Sequence, residues 1–273
     1  MPALPRSPAN SLGPAEVTAR LRAAGCVFAE EEARLLVAAG GELETLVARR
    51  ERGEPLEQIL GWAEFRGLRV AVAPGVFVPR ARTAELVDAA IPLLRAAAAA
   101  PPVLVDLCCG TGALGLACAR EVEVTLVAAD IDPAAVACAR RNLGPAGVGA
   151  AVYEGDLFDA LPAALRGTVA VLLANVPYVP SDAVATLPAE ARDHEPRRAL
   201  DGGADGLAVL RRVAAGAPEW LAPGGHLLME TAATQADSAL AVLEGCGLAC
   251  RLAGSGEHGT TVLVGTLRSP CAR

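Results

Sequence analysis

The 273-residue sequence predicts an α/β fold in which a mostly parallel sheet follows a small helical domain. From Val103 onward, short apolar runs alternate with helical stretches, and such alternation produces a parallel sheet with helices on both faces. A glycine-rich turn joins the first of these runs to its helix. The last two runs follow each other without a helix between them, which is typical of one antiparallel strand.

The segment before the sheet is predicted to be helical. Residues 1–14 are expected to form a disordered lead-in, and three helices follow between Pro14 and Arg52. Gly67 then separates two alternating stretches, which predicts a hairpin. We place the domain boundary after this hairpin, so that residues 1–72 form the first domain and residues 73–273 the second.

The second domain is predicted to begin with a helix from Thr83 to Arg95 and to continue with seven strands. In chain order, the strands are Val103–Leu107, Val124–Ala129, Ala151–Tyr153, Val169–Ala174, His226–Glu230, Leu248–Leu252 and Thr261–Leu267. The helices expected between them are Ala113–Arg120, Pro133–Asn142, Arg211–Trp220 and Gln235–Glu244.

Composition and charge exclude several classes of protein. A net charge of −7 and a pI near 5.1 argue against a broad nucleic-acid-binding surface, which is normally basic. The eight cysteines lack the paired spacing of a zinc site or a disulfide framework, so we expect no metal. The amino terminus lacks the apolar core of a signal peptide, and no apolar stretch is long enough to span a membrane. We therefore expect a cytoplasmic protein with reduced thiols.

The turn after the first predicted strand has the features of a cofactor site. Its sequence is Asp106-Leu107-Cys108-Cys109-Gly110-Thr111-Gly112-Ala113-Leu114-Gly115. Glycines let the backbone approach a ligand closely, and the N-terminus of the next helix offers free N–H groups. Asp130, at the end of the second strand, lies 20 residues beyond Gly110 and can hold ribose hydroxyls. This pattern suits either a nicotinamide dinucleotide or S-adenosylmethionine.

A second polar segment, Asn175-Val176-Pro177-Tyr178, follows the fourth strand at the end of the sheet where ligands bind. The Asn175 side-chain oxygen and the Val176 carbonyl can accept both hydrogens of a carboxamide or of an exocyclic base amine. Such a nitrogen is a poor nucleophile because its lone pair is delocalised. Holding it in line with a methyl donor therefore lowers the barrier. The Tyr178 ring can cover the face of the amide or base.

Together, the two segments favour a methyltransferase over a dehydrogenase. Asp106 suits the ammonium group of S-adenosylmethionine, whereas its negative charge would repel the diphosphate of a nicotinamide dinucleotide. In addition, hydride transfer has no evident use for Asn175. An N6-adenine nucleic-acid methyltransferase would use the same four residues. It would also need a basic channel and stacking aromatics, and the chain has only two Trp and two Tyr. A non-catalytic cofactor-binding module is the third alternative, and the intact Asn175 and Tyr178 weigh against it.

Further segments follow one another in an order typical of a known family. They are Gly53-Glu54-Pro55-Leu56, Ile59-Leu60-Gly61, Gly75-Val76-Phe77-Val78-Pro79-Arg80, Gly155-Asp156-Leu157-Phe158, Glu195-Pro196-Arg197-x-Ala199-Leu200, Gly202-Gly203-x-Asp205-Gly206-Leu207 and Leu221-x-Pro223-Gly224-Gly225. With the two segments above, the chain resembles the protein N5-glutamine methyltransferases of the release-factor type over nearly its whole length. The resemblance implies a helical domain that helps to recognise a protein substrate and a seven-stranded, Rossmann-like class I methyltransferase domain. It also implies S-adenosylmethionine as cofactor and, as acceptor, the glutamine of a Gly-Gly-Gln motif in a peptide chain release factor. From the charge and the apolar pattern given above, we expect no direct contact with nucleic acid or membrane.

Carried over by position, the resemblance assigns roles to individual residues. The methionine end of the cofactor would contact Gly110, Thr111 and Gly112, with Asp106 and Cys108 beside them. The catalytic residues that would hold the glutamine are Asn175, Val176, Pro177 and Tyr178, and Asn175 would also touch the cofactor. Asp130 would bind the ribose, and Asp156 with Leu157 would lie along the adenine. Phe77 and Thr83 would close over the cofactor.

Two positions depart from the family pattern. Val176 stands where the family usually has proline, but a backbone carbonyl is the acceptor there, and Pro177 keeps Val176 extended. Arg82 stands where the family usually has an acid, so the local charge near the cofactor entrance changes sign. The segment Asp193-His194-Glu195 is expected to be a polar loop over the site without a catalytic role.

Overall fold

The computed structural model describes residues 12–254 and 260–268, and the chain divides into two compact units, Met1–Gly61 and Trp62–Arg273. Because the division falls before Trp62, the hairpin that we assigned to the first domain lies in the second unit. Residues 1–11 of the expected lead-in lie outside the described residues, so its disorder stays a prediction.

The first unit is a small helical bundle. Its helices are α1 (Pro14–Ala23), α2 (Ala29–Ala39), α3 (Leu43–Glu51) and α4 (Leu56–Leu60). Val17 and Leu21 lie one turn apart on α1 and are fully buried with Leu36 and Val47, so one apolar stripe of each helix forms the core. The three predicted helices are present, and the short α4 was not predicted.

The second unit begins with the predicted hairpin, β1 (Trp62–Phe65) and β2 (Leu68–Ala71). Its two turn residues, Arg66 and Gly67, have φ angles of 53° and 73°, and such a two-residue turn matches the twist of the strands. A 3₁₀ turn, Ala81–Thr83, then leads into α5 (Ala84–Ala96).

The main sheet has seven strands, as the sequence predicts. They are β3 (Val103–Leu107), β4 (Thr125–Asp130), β5 (Ala151–Glu154), β6 (Val169–Ala174), β7 (Leu221–Ala232), β8 (Leu248–Ala253) and β9 (Thr260–Leu267). The spatial order is β5-β4-β3-β6-β7-β9-β8, and among these described strands β9 alone runs opposite to the other six. The helices after β3 are α6 (Ala113–Glu121), α7 (Pro133–Leu143), α8 (Ala189–His194), α9 (Arg197–Leu200), α10 (Ala208–Trp220) and α11 (Ala236–Gly245).

Both faces of the sheet are covered because successive strand residues point to opposite sides. On β6, Val171 and Leu173 join a cluster with α5 and α6, whereas Leu172 and Ala174 join a cluster with α10 and α11. All four are fully buried. The order of connection reverses between β3 and β6, so the crevice beyond their carboxyl ends is the expected ligand site.

Candidate active site

The glycine-rich loop lies at the carboxyl end of β3, where its backbone adopts left-handed conformations. Cys108, Gly110 and Gly112 have φ angles of 53°, 54° and 76°. A Cβ on Gly112 would lie 3.2 Å from Leu143 of α7, so both the conformation and the available space favour glycine there. The loop therefore brings backbone, rather than side chains, to the crevice.

Asp130, the last residue of β4, fastens this loop. Its two carboxylate oxygens accept hydrogen bonds from the Gly110 and Asp132 N–H groups, each at 2.9 Å. Burial raises the pKa of the Asp130 carboxyl, and the two N–H donors partly oppose that rise. Each oxygen retains a second lone pair, so the carboxylate can also accept hydrogen bonds from a diol.

Asp106 lies beneath the loop rather than on the cavity wall. One oxygen accepts a hydrogen bond from the Gly115 N–H at 2.9 Å, and the other is buried and has no hydrogen-bond partner among the described residues. Burial raises the pKa of Asp106 to about 7. A buried carboxyl oxygen without a hydrogen-bond partner, beneath the loop that leads into α6, fits a ligand with an ammonium group beside a ribose.

The loop opens into a cavity of about 570 Å³, within the usual range for a small-molecule site. Ten of the predicted site residues line it: Phe77, Thr83, Cys108, Gly110, Thr111, Asp130, Asn175, Val176, Pro177 and Tyr178. Asp106, Gly112, Asp156 and Leu157 do not line this cavity. The Asp156 carboxylate instead pairs with Arg212 at 2.7 Å, at the carboxyl end of β5.

The opposite wall of the cavity begins with Asn175, directly after β6. Among the described residues, neither the Asn175 side chain nor the Val176 carbonyl has a hydrogen-bond partner, so two acceptor oxygens stay free beside the loop. Val176 is buried. The chain beyond is fixed because Val179 exchanges backbone hydrogen bonds with Leu200 and Gly202, at 3.0 and 2.8 Å.

Tyr178 is held at both ends by residues that the sequence did not connect to it. Its hydroxyl donates a hydrogen bond to Glu230 Oε1 at 3.0 Å and accepts one from Arg82 at 3.1 Å. Its carbonyl accepts a hydrogen bond from the Gln235 amide at 3.0 Å. Burial, followed by the charge of Glu230, raises the pKa of the Tyr178 phenol, which therefore stays protonated as a donor.

The expectation that Asp193-His194-Glu195 forms a polar loop is wrong in two respects: Asp193 and His194 belong to α8, and Glu195, which follows that helix, is buried. The Glu195 side chain is fully buried; its oxygens accept hydrogen bonds from the Val78 N–H at 3.1 Å and from Arg80 at 2.6 Å. The Arg80 guanidinium lies 5.0 Å from the centre of the Phe77 ring, within cation–π range. Glu195 thus fixes the segment that carries Phe77 on the cavity wall. By contrast, Asp193 is exposed and forms an ion pair with its neighbour Arg192.

The described residues contain no cluster of His, Cys, Asp and Glu that could hold a metal ion, and none of the described helices is long and apolar enough to cross a membrane. Burial raises the pKa of the Cys108 thiol far above its usual range, so this residue contributes backbone rather than a reactive thiolate.

Comparison with known proteins identifies relatives. Residues 67–193 match the family model for the methyltransferase small domain. A release factor glutamine methyltransferase from Geobacter sulfurreducens is 37% identical and aligns over 81% of this chain and 75% of its own length. The release factor glutamine methyltransferase from Streptomyces coelicolor is 39% identical and aligns over 81% of this chain and 84% of its own length. A 4-amino-L-phenylalanine/4-methylamino-L-phenylalanine methyltransferase from Streptomyces pristinaespiralis is 37% identical and aligns over 85% of this chain and 86% of its own length.

A solved methyltransferase from Pyrococcus furiosus shares the fold. Its TM-score is 0.55 at 14% identity, and the alignment covers 74% of this chain and 90% of that one. The Rossmann-like class I methyltransferase fold that the sequence predicts is therefore confirmed.

Proposed function

The chain belongs to the family of release factor glutamine methyltransferases, and from this premise we propose that it methylates the side-chain amide nitrogen of a glutamine in a peptide chain release factor. The methyl donor is S-adenosylmethionine. The observation that carries the proposal is that Asn175 and Val176, whose side-chain and backbone oxygens have no hydrogen-bond partner among the described residues, line the same cavity as the glycine loop. A release factor acts in translation, so the proposal places the reaction in the cytoplasm.

Asn175 and Val176 would orient the acceptor nitrogen. A primary carboxamide has two N–H hydrogens, and the Asn175 side-chain oxygen and Val176 carbonyl can accept one each. With both hydrogens held, rotation of the amide stops and the face of its nitrogen is directed toward the glycine loop. Because an amide nitrogen is a weak nucleophile, such positioning can supply several kcal/mol of the barrier, on the order of what is observed for oriented reactants.

Tyr178 and its partners would complete the acceptor side. The phenol is fixed by Glu230 and Arg82, so the ring can cover the planar amide without first losing rotational freedom. The charges of Arg82 and Glu230 balance each other, which leaves this wall without net charge. Such a wall suits a neutral carboxamide better than a charged side chain.

The cofactor side would be formed by the loop and its acids. S-adenosylmethionine supplies an electrophilic methyl group when bound. The free N–H groups at the start of α6 and the Asp130 carboxylate would bind its polar parts, and Thr83 and Phe77 would lie over it. The buried Asp106 carboxyl would favour a nearby ammonium group. We propose these residues as the binding set, together with Asp156 and Leu157 near the adenine.

We further propose that the helical unit serves acceptor recognition rather than cofactor binding. This unit has its own apolar core, and every residue that lines the cavity belongs to the other unit. A variant that begins at Trp62 is expected to keep the cofactor dissociation constant, measured by calorimetry, and to lose methyl transfer to the release factor. Loss of cofactor affinity in a folded variant would contradict this division of roles.

The relative that acts on 4-amino-L-phenylalanine names a second class of acceptor. An aromatic amine, like an amide, has a planar nitrogen with a delocalised lone pair and two hydrogens, so the same two oxygens can orient it. The adenine amine shares this chemistry. The site alone therefore favours a planar NH₂ group, and the family favours glutamine.

A labelled-methyl transfer experiment tests the proposal. The purified chain is incubated with methyl-labelled S-adenosylmethionine and, in separate reactions, a release factor from the same cell, 4-amino-L-phenylalanine and an adenine-containing oligonucleotide. We expect label in the release factor, with mass spectrometry placing it on the glutamine of Gly-Gly-Gln, and none in a factor with that glutamine changed to glutamate. Label only in the amino acid or only in the oligonucleotide would replace the proposed acceptor.

A further inference from the structure

Arg82 is the residue of the acceptor wall that departs most from the family pattern in charge. It lies on the 3₁₀ turn Ala81–Thr83 and lines the cavity. Its terminal nitrogen donates a hydrogen bond to the Tyr178 hydroxyl at 3.1 Å. Its Nε lies 3.5 Å from Glu230 Oε1, an ion pair without a hydrogen bond.

The environment of Glu230 explains why a cation at position 82 matters. The Glu230 side chain is 3% exposed, near the end of β7, and a buried carboxylate is unfavourable unless it is paired and hydrogen-bonded. Arg82 provides the charge, and the Tyr178 hydroxyl provides the hydrogen bond. An acid at position 82 would instead bring a like charge toward Glu230.

The side chains of Arg82, Tyr178 and Glu230 all contact one another. Arg82 contacts both Tyr178 and Glu230, and Tyr178 contacts Glu230, although the three residues come from separate segments of the chain. Two side chains therefore hold the hydroxyl end of the Tyr178 ring. Gln235 holds the backbone end of the same residue.

We propose that Arg82 is a positioning residue for the acceptor: it fixes the Tyr178 ring, through the hydroxyl and through Glu230, in the orientation that covers the acceptor nitrogen. The part that concerns the acceptor rests on the proposed function. The part that concerns the ring does not, and the two can be tested separately.

The first measurement concerns the ring alone and needs no acceptor. The chain contains only two tyrosines, Tyr153 and Tyr178, so a protein labelled at the tyrosine ζ carbon gives two carbon NMR signals. A Tyr153→Phe variant assigns them. We expect Arg82→Met to move the Tyr178 signal by more than its linewidth and to leave the Tyr153 signal in place. Arg82→Lys, which keeps the charge and one donor, is expected to fall between Arg82→Met and the unchanged protein.

A matched control is available on the same cavity. Arg198 also lines it, but its side chain is 61% exposed and pairs with Asp132 at 3.7 Å rather than with Tyr178. Arg198→Met is expected to leave both tyrosine signals unmoved. An equal shift of the Tyr178 signal in Arg198→Met and Arg82→Met would overturn the proposal, because any lost charge would then suffice.

The second measurement is kinetic and uses the full chain. The Tyr178 ring contacts the acceptor equally in the bound complex and in the transition state, so loosening the ring should weaken binding more than turnover. We expect Arg82→Met to raise KM for the release factor about 10-fold and to change kcat less. The dissociation constant of S-adenosylmethionine should stay within about 2-fold, which also shows that the variant is folded. In a protein that already carries Tyr178→Phe, Arg82→Met should cause little further rise in KM for the release factor, because the hydroxyl that Arg82 holds is gone. Any change in KM caused by Arg198→Met should instead be the same with and without Tyr178→Phe.

Each outcome decides a different part. An unmoved Tyr178 signal in Arg82→Met overturns the proposal whatever the kinetics show. A moved signal with unchanged acceptor KM also overturns it, because the ring orientation would then not matter to the acceptor. If the unchanged protein does not methylate the release factor, the proposed function fails, while the NMR measurement still decides whether Arg82 holds the ring.

Discussion

The two walls of the cavity are constructed in different ways. The glycine loop of the cofactor wall is held locally: Asp130 bonds a residue 20 positions before it, and Asp106, beneath the loop, bonds one 9 positions after it, in both cases through a backbone N–H. The acceptor wall is assembled from distant side chains, since Tyr178 meets Arg82 and Glu230 across 96 and 52 residues. A local wall of backbone donors suits a ligand that does not vary, whereas a wall of side chains can change with the acceptor.

This difference implies that cofactor binding and methyl transfer can be separated by mutation. Changes on the local wall should appear in the dissociation constant of S-adenosylmethionine. Changes on the assembled wall should appear in turnover or in the acceptor KM.

The largest effect is expected at Asn175. Asn175→Ala removes the oxygen that holds one N–H group of the glutamine amide. We therefore expect kcat to fall roughly 100-fold or more, as when one positioned polar group is deleted in other enzymes. Cofactor affinity should change little. Asn175→Asp keeps an acceptor oxygen and should retain more activity than alanine. If Asn175→Ala transferred methyl groups at a near-normal rate to the same glutamine, Asn175 would only end a strand.

The opposite pattern is expected at Asp130. Asp130→Asn replaces one acceptor oxygen with a donor that faces a backbone N–H, so the cofactor dissociation constant should rise about 10-fold to 100-fold. Calorimetry measures this directly. The control Asp88→Asn changes an exposed acid on α5 that pairs with Arg66 and should leave the constant unchanged. Equal effects of the two variants would show that only net charge matters.

A smaller effect is expected at Glu195, which fixes the Phe77 segment. Glu195→Gln keeps the bond from Val78 but loses the charge opposite Arg80, so cofactor affinity should weaken by about 3-fold to 10-fold. The exposed Asp193 provides the comparison, and Asp193→Asn should have no effect. No change in Glu195→Gln would indicate that the segment is held by other contacts.

The smallest effect concerns pH and Asp106. Its folded pKa of about 7 exceeds the ordinary 3.8, so the folded protein holds a proton that the unfolded chain releases. Stability from this group is therefore full at low pH and declines as pH rises from about 4 to about 7. The melting temperature should fall more between pH 5 and pH 8 in the unchanged protein than in Asp106→Asn. Glu195, whose pKa is also raised, is not among the groups that shift Asp106 and should contribute similarly to both proteins.

The contrast between the walls also explains what the sequence could predict. All seven strands, the hairpin and the Asp106 and Asp130 loop follow from local periodicity and from glycine positions. Burial of Glu195 could not be predicted, because its partner Arg80 lies 115 residues away and the surrounding letters are polar. The helices α8 and α9 were missed, since each is only one or two turns long and follows a proline.

The most direct test of the separation is single-turnover methyl transfer to the release factor at rising cofactor concentration, with Asn175→Ala and Asp130→Asn measured side by side. We expect Asp130→Asn to approach the rate of the unchanged protein once the cofactor saturates it, because its defect lies in binding. Asn175→Ala should stay roughly 100-fold slower at every concentration, because its defect lies in the transfer step. Recovery of Asn175→Ala by added cofactor, or an equal residual defect in both variants, would contradict the account.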